Sequence, residues 1–378
     1  MKEFLKFISD KKIITAFGIL FIVEFSFQIG VYKTFLKKNS YASNINRITE
    51  HVVSKRKELD PDILIVGTSV AFEGLSVRIL NEELLKSGWK VQSLAIRGSE
   101  IIVQHRVLEE YLEKFPNVKY VIHVLEPGMA WVDRKELVTP TLSMLSELGN
   151  WKVIPKLSDF EYDIKFNDYM FLLLKSVAYR KDLSDLFTNF NERVKAISRN
   201  RLNPNKNPWD YENDHPESME PYGILDLDDC MNRMAEHFPL EIPKSSNKDH
   251  RRMIFETCAI ANDVPKVASK TENTERYFRR LQKMYSLLGE RKIHIINVFA
   301  PYSDVIRRLN SEERMQVWEE GLKQALSDYQ NLDKLDLQDS LGKDNAKYSF
   351  DLIHLNQAGM QVFSKIVAKE LEKKLGKK

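Results

Sequence analysis

The 378-residue sequence lacks the features that mark several specialised protein classes. It has only two cysteines, Cys230 and Cys258, too few for a disulfide framework and spaced unlike a zinc site or a CxxC redox pair. At most they form one disulfide, and we expect two unpaired thiols instead. The 57 basic and 54 acidic residues leave a net charge of +3, which predicts no nucleic-acid partner.

Signatures of cofactor and metal sites are also missing from the sequence. There is no glycine-rich phosphate loop, no internal repeat, and no histidine pair at metal-ligand spacing. We therefore predict neither a cofactor nor a metal. Hydrophobic residues make up 43% and charged residues 29%, as in soluble globular chains, which excludes collagenous, disordered and multi-span membrane proteins.

One apolar run, Ile13–Val31, lies near the N-terminus and is interrupted chiefly by Glu24 and Gln28. As a helix it would measure about 28 Å, close to the hydrocarbon thickness of a bilayer. Lysines precede the run and favour a cytoplasmic amino end, and no small-x-small cleavage site follows it directly. We predict an uncleaved single-pass anchor over residues 1–38, with the rest of the chain extracytoplasmic at the cell membrane. The alternative is a buried core helix, and Glu24 would need a partner or a proton inside a membrane.

Strand and helix patterns alternate in two separated parts of the chain. The predicted strands cover residues 62–66, 90–95, 118–125, 292–299 and 334–337. The alternation predicts a flavodoxin-like three-layer α/β sandwich with a five-stranded parallel sheet. A mainly helical insertion is predicted after the third strand. The predicted domains are the anchor at 1–38, the α/β domain at 39–131 and 272–378, and the insertion at 132–271.

Polar residues follow the carboxyl ends of the predicted strands, which meet at one rim of a parallel sheet. Gly67-Thr68-Ser69 ends the first strand, so Ser69 stands at a strand-to-helix turn where a hydroxyl is well placed for nucleophilic attack. The adjacent helix N-terminus offers backbone N–H groups to a developing oxyanion. The alternative for Ser69 is a simple N-cap.

A second polar group, Asp351-Leu352-Ile353-His354, precedes the last predicted helix. A serine nucleophile needs a base, and a neutral imidazole needs a carboxylate that selects its tautomer and stabilises the imidazolium. Asp351, three residues before His354, can do this within one turn. We therefore predict that Ser69, His354 and Asp351 form a catalytic triad.

With these residues the sequence resembles the SGNH (GDSL-type) hydrolase superfamily. The resemblance is strongest to its membrane-anchored branch, which includes the D-alanyl transfer protein of lipoteichoic acid synthesis and alginate O-acetylation proteins. Gly67-Thr68-Ser69 is similar to the family's Gly-Asp-Ser block, Gly98 to its glycine after strand two, and Asp351 with His354 to its Asp-x-x-His block. The similarity covers roughly residues 60–130 and 272–375, leaving the predicted anchor and insertion outside it.

The resemblance implies a nucleophilic Ser69, a general base His354 and an orienting Asp351. It also implies that the backbone N–H groups of Ser69 and Gly98 form part of an oxyanion hole.

The sequence departs from the family at two positions. Thr68 stands where the family has Asp, and the loop after the third strand reads Glu126-Pro127-Gly128 where the family supplies an Asn donor. Pro127 has no N–H, and a charged Glu126 would repel an oxyanion. We expect Arg97 to neutralise Glu126. Either the N–H of Gly128 replaces the missing donor, or the protein is slow, or it no longer catalyses. Thr68, Arg97 and Glu126 are the expected lining of the site.

The expected function is that of a membrane-anchored, extracytoplasmic SGNH-like acyl esterase or O-acyltransferase. The resemblance implies cell-envelope carbohydrate or polymer as substrate, and the expected partners are the membrane and an envelope polysaccharide or acyl donor. One alternative is a catalytically inactive SGNH fold that serves as an envelope scaffold or polymer-binding module. Another alternative is that the predicted insertion binds a membrane partner, while the α/β part only positions the insertion. Within the insertion, the aromatic segment Asn203–Tyr222 fits either a sugar-binding lid or a surface excursion.

Overall fold

A computed structural model describes residues 10–38, 40–146, 150–202, 213–235, 248–264, 266–327, 329, 331–343 and 345–378. The chain divides into two compact units, Met1–Glu50 with Lys135–Lys206, and His51–Arg134 with Asn207–Lys378. The predicted insertion is therefore divided between the units, and its second part belongs with the sheet. The first ten residues of the aromatic segment, 203–212, and the lysines at positions 2 and 6 lie outside the described residues.

The elements alternate between strand and helix only in the second unit. The strands are β1 (Ile63–Val66), β2 (Val91–Ser93), β3 (Tyr120–Leu125), β4 (His294–Phe299) and β5 (Leu332–Asp336). The helices described before β3 are α1 (Lys11–Gln28), α2 (Tyr41–Arg47), α3 (Arg56–Leu59), α4 (Ser69–Gly74), α5 (Val77–Leu84) and α6 (Ile101–Tyr111). Those described between β3 and β4 are α7 (Val138–Leu145), α8 (Ile154–Ser158), α9 (Phe166–Leu173), α10 (Lys175–Ala178), α11 (Arg180–Thr188), α12 (Phe190–Leu202), α13 (Leu227–Ala235), α14 (Lys248–Asp263) and α15 (Glu272–Glu290). After β4 come α16 (Asp304–Leu309), α17 (Glu312–Ala325) and α18 (Gln357–Leu375).

The regular secondary structure described in the first unit is all helical. On α1, large apolar side chains such as Phe17, Leu20 and Phe21 are 64%, 63% and 71% exposed. Glu24 has partners: its two carboxylate oxygens accept hydrogen bonds from the N–H groups of Lys175 (2.7 Å) and Ser176 (3.1 Å) at the start of α10. No described helix, α1 included, is long and apolar enough to cross a membrane.

The second unit is built on a parallel five-stranded sheet with the strand order β2-β1-β3-β4-β5. This confirms the predicted α/β class and the predicted sheet. Helices cover both faces of the sheet. Successive side chains of a strand point to opposite faces, so neighbouring residues of one strand contact different helices. Ile122 of β3 shares a core with Leu80 of α5 and Phe363 of α18, whereas the next residue, His123, hydrogen-bonds α6 and α15 from the other face. Burial on both faces explains why the strand sequences are almost unbroken apolar runs.

The second part of the predicted insertion packs onto the sheet unit through α13 and α14. Cys230 and Cys258 join these helices in a disulfide, so the expectation of two unpaired thiols is wrong. Both cysteines are buried in an apolar cluster that includes Ile254, Val305 and Leu352. The pairing depends on two consecutive helices lying side by side, which the number and spacing of cysteines do not reveal. Through Leu352 this cluster reaches the loop that carries Asp351 and His354.

Helix α18 begins with close backbone packing at Gly359. The side chain of Asn356 caps the helix by accepting a hydrogen bond from the N–H of Gly359 at 2.9 Å. A Cβ at position 359 would lie 2.2 Å from the carbonyl oxygen of Tyr348, so only glycine fits without displacement. This explains the glycine in the Asn-Gln-Ala-Gly sequence that follows His354.

We predict that Gly359→Ala lowers the free energy of unfolding by about 1–3 kcal/mol, because the added methyl overpacks against backbone. Chemical denaturation measures this loss. The matched control is Gly128→Ala, whose added Cβ meets no atom within 4 Å and which should change stability by no more than about 0.5 kcal/mol. Equal stability of the two variants would contradict the packing argument.

Candidate active site

Ser69, His354 and Asp351 lie together at the carboxyl rim of the sheet. Ser69 Oγ is 2.8 Å from His354 Nε2, although the two residues are 285 positions apart in sequence. On the other side of the ring, His354 Nδ1 is 3.0 and 2.9 Å from the two Asp351 oxygens. Each contact has hydrogen-bond length, so the three groups form a continuous hydroxyl–imidazole–carboxylate chain.

The turn after β1 leaves the Ser69 hydroxyl available for this contact. Thr68, not Ser69, is the N-cap of α4, and its Oγ1 accepts a hydrogen bond from the N–H of Val70 at 3.2 Å. The alternative function of Ser69 as a simple cap is therefore wrong. Gly67 has a φ of +153°, and a Cβ there would lie 2.8 Å from the Cβ of Ala71. Glycine thus permits the tight strand-to-helix bend that presents the serine.

Asp351 is fully buried and held in position by its own loop. Its Oδ1 accepts hydrogen bonds from the N–H groups of Ile353 (2.9 Å) and His354 (2.8 Å). These two backbone donors orient the buried carboxylate. This local turn fixes the carboxylate against the imidazole.

Neighbouring elements hold the same loop from outside. Ser303, after β4, donates its hydroxyl proton to the carbonyl of Leu352 at 2.7 Å, and Leu352 N–H donates to Thr257 Oγ1 of α14 at 3.3 Å. The ring of Phe350 stacks between two imidazoles, His215 at 4.1 Å and His250 at 4.5 Å between ring centroids. Sequence reasoning missed these supporting residues, because none stands at a spacing that indicates contact with the loop.

The pKa of His354 is raised to about 9 by its surroundings. Burial alone would lower it, but the negative charges of Asp351 and Glu73 outweigh burial, and the hydrogen bond to Asp351 adds to them. The site therefore stabilises the imidazolium, the form that a histidine takes when it accepts a proton from a serine. At neutral pH only a minor fraction of His354 is therefore in the neutral imidazole form that can act as a base.

Backbone N–H groups are available beside the serine. Within the described residues, the amides of Ser69 and Gly98 donate to no protein acceptor. Gly98 has a φ of +63°, and its loop is tied to the serine turn because the carbonyl of Gly67 accepts from the N–H of Ile96 (3.1 Å) and the hydroxyl of Ser99 (3.0 Å). The loops that carry both predicted oxyanion donors are thus joined at the end of β1. No described contact joins Gly128, in the short turn Pro127–Trp131 after β3, to the triad.

Arg97 and Glu126 do not pair with each other as the sequence suggested. Arg97 Nε lies 2.8 Å from Glu73 Oε1, and the guanidinium lies over the Phe72 ring. Glu126 instead accepts a hydrogen bond from the hydroxyl of Thr68. Burial raises the pKa of Glu126 to about 7, against the opposing effects of Arg134 and His354. Arg97 pairs with Glu73 because Glu73, four residues after Ser69 on α4, lies next to the loop after β2 that carries Arg97. The sequence position of Glu73 alone did not indicate this contact.

Among the described residues, no three His, Cys, Asp or Glu side chains cluster closely enough to hold a metal ion. No protein-family model and no curated protein matches the chain. The geometry of the site is therefore the main basis for assigning a function.

We predict that Asp351→Asn lowers the pKa of His354 from about 9, because the amide carries no charge to stabilise the imidazolium. The chemical shift of the imidazole Cε1 proton, followed against pH, measures this change. Asp333→Asn is the matched control, since Asp333 Oδ2 lies 2.7 Å from a different histidine, His294. An unchanged His354 titration in Asp351→Asn would contradict the charge coupling.

Proposed function

We propose that this protein is an SGNH-like serine acyl esterase or O-acyltransferase whose second unit is a flavodoxin-like α/β domain. The main support is the 2.8 Å contact between Ser69 Oγ and His354 Nε2, with Asp351 hydrogen-bonded to the opposite ring nitrogen. This arrangement satisfies the geometric requirement for a nucleophile with an adjacent, oriented base. The sequence resemblance to SGNH hydrolases supports the same assignment.

The reaction proceeds through an acyl-enzyme. Ser69 Oγ attacks the ester carbonyl carbon while His354 Nε2 takes the hydroxyl proton, and the negative charge of the tetrahedral intermediate forms on the carbonyl oxygen. The N–H groups of Ser69 and Gly98 stabilise that charge. The bond to the leaving alcohol then breaks as His354 returns the proton to it. Water in an esterase, or a sugar hydroxyl in a transferase, attacks the acyl-Ser69 ester with His354 again acting as base.

An extracytoplasmic location is part of this proposal. Disulfides persist in oxidising compartments outside the cytoplasm, and the Cys230–Cys258 bridge supports such a location for the second unit. Envelope carbohydrate or polymer is the proposed substrate class, on the basis of the family resemblance. Hydroxyl-rich polymers carry the acyl esters that this chemistry forms or cleaves.

We also propose that α1 attaches the protein to a membrane, because its apolar side chains are exposed. Replacing Phe17 and Phe21 together by Asp should abolish co-sedimentation with phosphatidylethanolamine–phosphatidylglycerol vesicles. The control is Leu85→Asp, at a 51% exposed apolar residue of the second unit. Undiminished vesicle binding by the double variant would exclude α1 as the attachment site.

For the catalytic proposal, we predict that Ser69→Ala loses about 10³-fold or more of the turnover of aryl acetate esters. The same variant should resist labelling by a fluorophosphonate probe, which reacts with activated serines. Ser286→Ala, at an exposed serine that hydrogen-bonds within α15, is the matched control and should keep both activities. Equal turnover by wild type and Ser69→Ala would remove Ser69 from the mechanism.

A catalytically inactive scaffold is the second candidate function. The observation that favours it is Glu126, an acidic side chain beside the serine turn where a negative charge would oppose an oxyanion. A folded wild-type protein that fails to react with the fluorophosphonate from pH 6 to 10 would support this alternative.

A further inference from the structure

We propose, resting on the function above, that Glu126 acts as a neutral carboxylic acid and donates a hydrogen bond to the oxyanion formed at Ser69. This would make Glu126 a catalytic residue in addition to the triad. It would also reconcile an acidic side chain in this position with a reaction that develops negative charge.

The sheet brings Glu126 next to the serine turn. Strands β1 and β3 are adjacent and parallel, with Val66 in register with His123, so the loops that follow them leave the sheet side by side. The hydroxyl of Thr68, the residue before Ser69, donates a hydrogen bond to Glu126 Oε1. The carboxyl group is therefore held one residue from the nucleophile.

The direction of that hydrogen bond determines where a proton on Glu126 must be. Thr68 Oγ1 already accepts the N–H of Val70 as the cap of α4, and its own proton points to Glu126 Oε1. Oε1 therefore acts as an acceptor, and the acid proton belongs on Oε2. In the described residues, Oε2 has no hydrogen-bond partner and is not among the fully buried polar atoms. It is free to donate to a bound substrate.

Burial favours the neutral form of Glu126. Arg134 and His354 act on it only at a distance, without an ion pair in the described residues, and burial outweighs both. Tyr302 and Tyr277, which also interact with Glu126, have pKa values raised by burial and stay neutral. Among the described residues, no positively charged side chain forms an ion pair with Glu126 that would hold it in its charged form.

Glu126 also lines a small cavity of about 10 Å³, enough for one water. Besides Thr68, it is lined by Glu100, His123 and Tyr277. Burial raises the pKa of Glu100 to about 8 and lowers that of His123 to about 3, so both are mainly neutral at pH 7. Glu100 Oε1 is buried without a hydrogen-bond partner in the described chain. The cavity therefore supplies no positive charge that would ionise Glu126.

A neutral carboxylic acid in such a site is an effective donor. Its O–H stabilises developing negative charge, whereas the ionised form would repel it. Catalysis then needs His354 without its proton and Glu126 with its proton. The two groups together then hold one proton. Because the pKa of His354, about 9, exceeds that of Glu126, about 7, this proton lies mostly on His354. The competent form, with the proton on Glu126, is therefore the minor one.

The pH dependence of turnover therefore has two limbs. Below about pH 7 both groups hold protons and His354 cannot act as a base, so activity rises as the first proton leaves. Above about pH 9 both have lost their protons and Glu126 is charged, so activity falls. We expect a bell-shaped profile for kcat/KM of aryl acetate hydrolysis.

The decisive variant is Glu126→Gln, whose amide donates at every pH. It should keep wild-type turnover at pH 8 within about tenfold and should lose the alkaline decline, rising to a plateau above about pH 9. Glu126→Ala removes the donor and should lose about 10²–10³-fold at pH 8. The matched control is Glu320→Gln, at an exposed carboxylate of α17, which should keep the bell shape.

Each outcome has a distinct meaning. A Glu126→Gln variant that keeps the alkaline decline, or that is inactive at every pH, would overturn the donor role of Glu126. A wild-type profile without an alkaline limb would overturn it as well. If these variants match the wild type while Ser69→Ala is inactive, the proposed function stands and only this inference fails. If Ser69→Ala equals the wild type, the proposed function itself fails.

Discussion

The 2.8 Å contact between Ser69 and His354 depends on how α18 docks against the start of the sheet. The hydroxyl of Ser364 on α18 accepts the buried N–H of Ser76 at 2.9 Å, just before α5. Around this bond, Phe363 shares an apolar core with Leu80 of α5. Because burial of these groups fixes the helix, the loop that precedes α18 lies over the serine turn. The geometry of the candidate triad is thus a consequence of core packing.

The parallel topology of the sheet places the loops that follow the strands next to the loop that precedes α18. In a parallel sheet with right-handed crossovers, every strand ends at the same rim, so distant segments meet there. The loops after β1, β2, β3 and β4 supply, respectively, Ser69, Gly98, Glu126 and Ser303. The loop before α18 closes the rim from above, and α13 and α14, linked by a disulfide, pack behind it. Helices α13 and α14, from a part of the chain without strand–helix alternation, thereby support the loop that carries Asp351 and His354.

The electrostatics of the rim are dominated by acids that differ in their partners. Asp351 accepts two backbone N–H groups and Glu73 pairs with Arg97, and the negative charges of both raise the pKa of His354. Within the described residues Glu126 accepts a hydrogen bond only from the Thr68 hydroxyl, and burial raises its pKa to about 7 against the opposing effects of Arg134 and His354. The carboxyl groups around the candidate triad thus differ in their partners, and burial raises the pKa of Glu126, which lacks an ion pair in the described residues.

The sequence by itself determined the sheet, its five strands and the residues at their carboxyl ends, because periodicity and turn chemistry are local. It also identified Ser69, Asp351 and His354, since strand-ending loops and a three-residue spacing can be recognised without coordinates. Only the tertiary structure decided that Cys230 pairs with Cys258, that Arg97 binds Glu73, and that Thr68 rather than Ser69 caps α4. Those choices depend on which side chains from distant segments arrive within a few ångströms of one another, and a linear pattern does not encode that distance.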